Sequence, residues 1–181
     1  MKNVLRLLIG LVVISSLSSC GYNSMVEKRE AVNQAWGGVE SSYQRRADLI
    51  PNLVSTVKGA ANFEQTTLEK VVEARASATQ IKLDPNDLTE ENLAKFQQAQ
   101  NTLSQSLGRL LAVSENYPEL KATQNFQDLQ AQLEGTENRI NKSRNDFNTA
   151  VQDYNAYIAK FPQVMVAKMF GFTPRAYFKS D

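Results

Sequence analysis

Cys20 is the only thiol in a 181-residue chain that contains no His. Those two facts narrow the chemistry. Without imidazole there is no Ser–His or Cys–His nucleophile. Zinc, copper and most iron sites draw on imidazole or thiolate, so no metal or cofactor is expected. The Glu-x-x-His pairs of di-iron bundles cannot be built, and one Cys forms no intramolecular disulfide. Three groups of side chains remain: Cys20 itself, the carboxylates Glu134 and Glu137, and the charged set Arg45, Arg46, Asp48, Glu137 and Arg144.

Cys20 stands where a thiol has a use. Lys2 and Arg6 lead into an apolar stretch at residues 7–17, interrupted only by Gly10, Ser15 and Ser16, and then into Ser18-Ser19-Cys20. That stretch is about half of the roughly 20 apolar residues that cross a ~30 Å hydrocarbon core. It fits the middle of a secretory signal. Leu17-Ser18-Ser19-Cys20 has the form of a bacterial lipobox, in which small residues admit the peptidase to the Ser19–Cys20 bond after the thiol has taken a diacylglycerol. We expect a signal peptide at 1–19, a lipid-attachment linker at 20–23 and a helical domain at 24–181. Each buried methylene of a palmitate-type chain contributes ~0.8 kcal/mol, so several chains anchor firmly where one would not. A short uncleaved anchor with an incidental Cys is the plainer reading, and the shortness of the apolar stretch speaks against it. Gly21 replaces the Asp that retains proteobacterial lipoproteins at the inner membrane, which favours the outer membrane in a cell that has one.

Glu134 and Glu137 are three apart and share a helix face. Paired carboxylates can hold a metal or run acid–base chemistry, but with no further ligand a solvated face is the better reading, because such charges are seldom buried. Arg45, Arg46 and Asp48 lie just before Pro51 and could form a recognition patch. The preferred reading is a half-buried polar network with Glu137, Arg139 or Arg144 that fixes helix register, as polar residues at seam positions do. The chain carries 20 basic and 19 acidic residues; loss of Lys2 and Arg6 with the signal leaves 18 against 19, net −1. A near-neutral body lacks the basic stripe that nucleic acid requires.

These residues need long helices to position them. Apolar side chains fall at Met25, Val32, Trp36, Val39, Tyr43, Ile50, Leu53, Val57 and Ala60, with Arg29 and Arg46 at seam positions. A second seam runs Phe126, Leu129, Leu133, Ile140, Phe147, Ala150, Tyr154, Tyr157 and Phe161, with Thr136 and Ser143 as its polar members. A period of 3.5 held for about five heptads marks helix-on-helix packing. Between the two, Phe63, Leu68, Val71, Val72, Ala78 and Ile81 suit one shorter helix, and Leu93, Phe96, Leu103, Leu107, Leu110 and Leu111 suit another. Asp84-Pro85-Asn86-Asp87 separates them. Thr89, with Glu90 and Glu91 after it, starts the second, and Tyr117-Pro118 ends it.

At 1.5 Å per residue, segments 24–60 and 123–161 are ~55 Å and ~58 Å long, and the shorter pair covers one side of them. The expected fold is all-α, an antiparallel four-helix bundle of long helices. Interior proline costs ~3 kcal/mol or more, and Asp48 could cap a fresh helix. The first helix is therefore expected to kink or break between Arg46 and Pro51. Gly37-Gly38 is a second weak point that would allow a close helix approach. Residues 164–172 form a short, apolar, Met-rich C-terminal helix or tail. It is expected to fold back over the bundle end, with lipid or a partner as the alternative contact.

Tyr22-Asn23, Ala35-Trp36, the run from Arg45-Arg46-Ala47-Asp48 through Ile50-Pro51-Asn52-Leu53-Val54, Glu73-Ala74-Arg75-Ala76, Tyr117-Pro118-Glu119-Leu120, Leu133-Glu134-Gly135-Thr136-Glu137-Asn138-Arg139-Ile140 and Phe170-Gly171-Phe172 together resemble the LemA family over nearly everything after Cys20. The resemblance implies a helical bundle on an N-terminal membrane tether, facing away from the cytoplasm, with no established enzymatic role. The chain departs from it in carrying a lipobox where members commonly have a transmembrane anchor, Phe63 where many have His, and Phe147 where Tyr is common. The expectation is a lipid-anchored protein of the cell envelope, held to a membrane through Cys20 and acting as a non-enzymatic scaffold or adaptor for another envelope protein. The rival is a membrane-active protein whose apolar tail contacts lipid.

Overall fold

The computed structural model describes residues 21–61 and 63–179 in full and residues 2–20 as helical backbone. The expectations on Ser19 and Cys20, cleavage and lipid attachment, lie outside the described side chains. Among the described residues every regular element is a helix. In chain order they are α1 (Lys2–Lys58), α2 (Gln65–Gln80), α3 (Glu90–Ser114), α4 (Pro118–Lys121), α5 (Gln124–Ala159) and α6 (Gln163–Phe170). The fold is all-α, with six helices where four and a tail were expected. Pro118 both ends α3 and opens the separate turn α4, because proline is well placed at a first helical position.

The long helices α1 and α5 pack along each other, and α2 packs on α3. Residues 81–89 join α2 to α3 through an Asp84 turn, in which the Asn86 N–H donates to the Asp84 carboxylate at 2.8 Å. Thr89 caps α3 by accepting the Asn92 N–H at 3.3 Å. One core is centred on Trp36, whose ring meets Phe96 at 5.4 Å and Phe147 at 5.6 Å edge-on and stacks with Phe178 at 6.1 Å. A second core, around Ile50, Leu53, Val71, Leu103, Leu110 and Phe126, fills the other end.

α1 does not break where a break was expected. Pro51 has no N–H, so the Ala47 carbonyl loses its usual partner four residues on. Arg75 of α2 replaces it, its Nε donating to that oxygen at 2.8 Å. Ala47 is only 3% exposed, so the oxygen would otherwise be stranded away from water. Asp48, expected to cap a fresh helix, stays mid-helix. Gly37 and Gly38 face solvent, and nothing lies within 4 Å of where a Cβ would stand on either. The close approach expected there is not made.

The seam of α5 departs from the heptad reading after Phe147. Val151 and Ile158 are buried where Ala150 and Tyr157 were expected to be, while Phe161, beyond the end of α5 at Ala159, is exposed. A straight helix drifts about 20° per heptad against a strict seven-residue repeat, which moves the buried stripe to the next position. Val72 is likewise exposed, and Ala74 takes the core position on α2.

After α6 the chain turns at Gly171, whose φ of 74° is a left-handed conformation that suits glycine. Residues 172–179 then run back along α5 as a strap. Two asparagines seven apart on α5 hold its backbone. Asn155 accepts the Arg175 N–H at 2.9 Å and donates to the Arg175 carbonyl at 2.8 Å. Asn148 does the same for Phe178 at 2.9 and 3.1 Å. Phe178 is thereby seated in the Trp36 core, and the strap's backbone groups find partners without a strand.

Candidate functional site

Arg46 is where polar side chains of three helices meet. Its seam position on α1 turns it inward, and it is 2% exposed. Nη1 donates to Ser104 Oγ of α3 at 2.6 Å and to Glu137 Oε2 of α5 at 3.0 Å. Nη2 donates to the Gln100 carbonyl at 3.1 Å and to Gln100 Oε1 at 2.8 Å. The guanidinium also lies over the Tyr43 ring, 5.1 Å from its centroid. Gln100, itself buried, passes the network on by donating to the Ala78 carbonyl of α2 at 3.3 Å. One cation thus ties α1, α3 and α5 together and reaches α2 through a single amide.

The structure brings Arg46 and Glu137 together but not the whole expected set. Arg45 and Asp48 are exposed, and Asp48 accepts from Gln44 at 2.7 Å on the surface. Residues 45 and 48 are turned about 100° and 200° around the helix from 46, so they cannot share its seam. Arg144 lies beside the cluster and binds the strap, donating to the Lys179 carbonyl at 2.9 Å with its guanidinium over Phe178. Glu134 is exposed and accepts from Gln130 at 3.2 Å, while Glu137 turns to Arg46. The two carboxylates therefore serve different partners. Among the described residues no group of His, Cys, Asp or Glu could hold a metal ion. Ser104, Gln100 and Arg75 were not singled out from sequence. Arg75 was the one with a signal, since Pro51 strands a carbonyl that some donor must satisfy.

The recess over Arg46 is shallow and polar, about 270 Å³, and Tyr43, Ser104, Glu137 and Arg144 line it. Two larger recesses lie at the Lys58 end of α1. One, about 850 Å³, is lined by Lys58, Phe63, Leu68, Val72 and Glu73. The other, about 700 Å³, is lined by Gly59, Tyr117, Pro118 and Leu120. The Phe63 and Tyr117 rings meet at 4.8 Å. At the opposite end, Tyr22 of α1 packs edge-on against Phe170 and Phe172 at 5.0 and 5.6 Å. Among residues 21–61 and 63–179, no helical stretch is long and apolar enough to cross a membrane.

Elsewhere, burial raises the Tyr154 hydroxyl above its ordinary pKa, and that hydroxyl donates to the Thr173 carbonyl of the strap at 3.1 Å. The Lys179 ammonium, bonded at 2.7 Å, lowers the carboxyl of Glu90.

Long helices joined by one buried guanidinium, with recesses at one end and a short apolar helix at the other, make up an all-helical body. The chain belongs to the LemA family, which residues 35–181 match. It is 28% identical over 175 residues to the magnetosome protein MamQ 2 of Paramagnetospirillum magneticum, covering 87% of this chain and 64% of that protein. It is 26% identical over 174 residues to the magnetosome protein MamQ of Magnetospirillum gryphiswaldense, with the same two coverages of 87% and 64%. Against protein LemA of Metamycoplasma hominis it is 21% identical over 159 residues, 88% of this chain and 69% of that one. The chain thus spans 64% of the length of its magnetosome relatives.

Proposed function

We propose that this chain is a non-enzymatic adaptor of the cell envelope, anchored to a membrane by lipid on Cys20 and presenting its far end to a protein partner. In this reading α1, α2, α3 and α5 act as one antiparallel bundle, and the Arg46 cluster keeps them in register. The observation that carries it is the placing of the two large recesses. Both lie beside Lys58, and from Cys20 to Lys58 a helix rises ~57 Å at 1.5 Å per residue. A body that holds its apolar recesses this far from its tether is suited to reaching a neighbour. Recesses with apolar walls and a few polar groups are where ligands and peptide segments settle, and the aromatic pair Phe63 and Tyr117 provides the anchor type that dominates protein contacts.

The test is position-dependent photocrosslinking in cells that express the full chain. A photoreactive residue at Val72, half-exposed in the larger recess, is expected to give a defined adduct with one envelope protein. The same residue at Asn138, exposed midway along α5, is expected to give none. Identical adduct patterns from both positions would sink the reading.

A further inference from the structure

The exposed face of α6 is an unused surface of a different kind. Its inner side packs through Ala167 and Val166 against the Trp36 core. Its outer side, together with Phe161 before it, leaves Phe161 80%, Met165 62%, Met169 77% and Phe170 58% exposed. Met165 and Met169 are four apart and share one face of the helix. This is a concentration of large apolar side chains that isolated surface residues do not produce.

We propose that this face docks on an anionic lipid surface, seating the tethered end of the body on the membrane. This deepens the adaptor reading and rests on its membrane anchor. Three observations select lipid. The first is covalent: Tyr22, in ring contact with Phe170 and Phe172, is two residues from Cys20, so at most about 7 Å of backbone separates it from the proposed lipid site. The face therefore lies where the bilayer must be. The second is charge. No acidic residue occurs between Asp153 and Asp181, whereas Lys160 and Lys168 are exposed beside the apolar stripe. Apolar side chains flanked by lysines match the acyl boundary and the anionic headgroups of one leaflet. The third is the chemistry of Tyr22 itself, a partly exposed aromatic with a polar tip of the type that gathers at headgroup depth. Docking would fix the tilt of α1 on the membrane and with it the place where the far recesses stand.

The experiment uses the full chain, reconstituted in phosphatidylethanolamine and phosphatidylglycerol vesicles whose acyl chains are brominated. Native Trp36 is sealed in the core and supplies the background. Met169→Trp is expected to show several-fold more quenching than the unsubstituted chain, and Val72→Trp no more than the background. Lys160→Glu with Lys168→Glu is expected to reduce the quenching of Trp at 169. Unquenched, water-like emission from position 169 would overturn the proposal. So would unquenched emission that shifts with protein density, because a second copy would then be covering the face. A chain that fails to float with the vesicles would overturn the anchor and this inference with it, whereas floating without quenching at 169 would overturn the docking face alone.

Discussion

Arg75 and Pro51 should be coupled across two helices although their side chains act on a third residue. Pro51 removes the N–H that would satisfy the Ala47 carbonyl, and Arg75 Nε supplies the bond at 2.8 Å. Arg75→Met keeps an apolar stem and removes the donor. With Pro51 present, the buried oxygen is then left unpaired, at a cost of about 1–3 kcal/mol. With Pro51→Ala, the new N–H at 51 donates to the same oxygen, and Arg75→Met should cost under ~0.5 kcal/mol, the usual range for a partly exposed side chain without a special role. The coupling energy of the double-mutant cycle should therefore be about 1–2 kcal/mol. Equilibrium urea unfolding followed by helical circular dichroism measures it, provided the denaturant slope is the same for all four chains. Equal destabilisation by Arg75→Met in both backgrounds would refute the reasoning, because Arg75 would then be packing and not replacing the missing hydrogen bond.

Other expectations follow from single contacts. Arg46→Met should destabilise by about 1–3 kcal/mol, since it leaves the buried Gln100 side-chain oxygen without its donor, whereas Glu137→Gln should cost under ~1 kcal/mol because the amide can still accept from Nη1 and the carboxylate it replaces is 48% exposed; urea midpoints compare the two. Gly37→Ala and Gly38→Ala should each stabilise by about 1 kcal/mol, since both are helical, exposed and clear of neighbours; thermal unfolding reads the gain. Tyr154 has its folded pKa raised by burial, so its contribution is intact below the unfolded value near 10 and is lost as pH rises through the folded value. Alkaline unfolding, followed by tyrosinate absorbance, should shift to higher pH in Tyr154→Phe.

Much of this architecture was legible in the residue spacing, for a reason that also marks where legibility ended. Met25, Val32, Trp36, Val39, Tyr43, Ile50, Leu53 and Val57 are all buried at the expected seam positions, because a helix repeats its faces whatever packs against them. The same rule misplaced Val151 and Ile158, since a fixed heptad ignores the slow drift of a straight helix, and it misplaced Phe161 because α5 ends at Ala159, before that residue. Arg46 was readable as an inward-facing cation and Glu137 as one of its candidate partners, but Ser104 and Gln100 were not, because hydroxyls and amides on a neighbouring helix carry no periodic signal. Pro51 suggested a break because its local cost is large, and Arg75, 24 residues later, relieves part of that cost by a tertiary contact that local rules do not see. The strap was invisible for the same reason. Asn148 and Asn155 look like ordinary surface amides until residues 172–179 lie beside them.

The adaptor role and the docking face both require the membrane to lie at the Cys20 end of α1, and intact-mass spectrometry of the chain extracted from membranes tests this directly. The expected species is a polypeptide that begins at Cys20 and carries the added mass of a diacylglycerol, and it should be lost in Cys20→Ser. A chain that retains residues 1–19 with an unmodified thiol would contradict it.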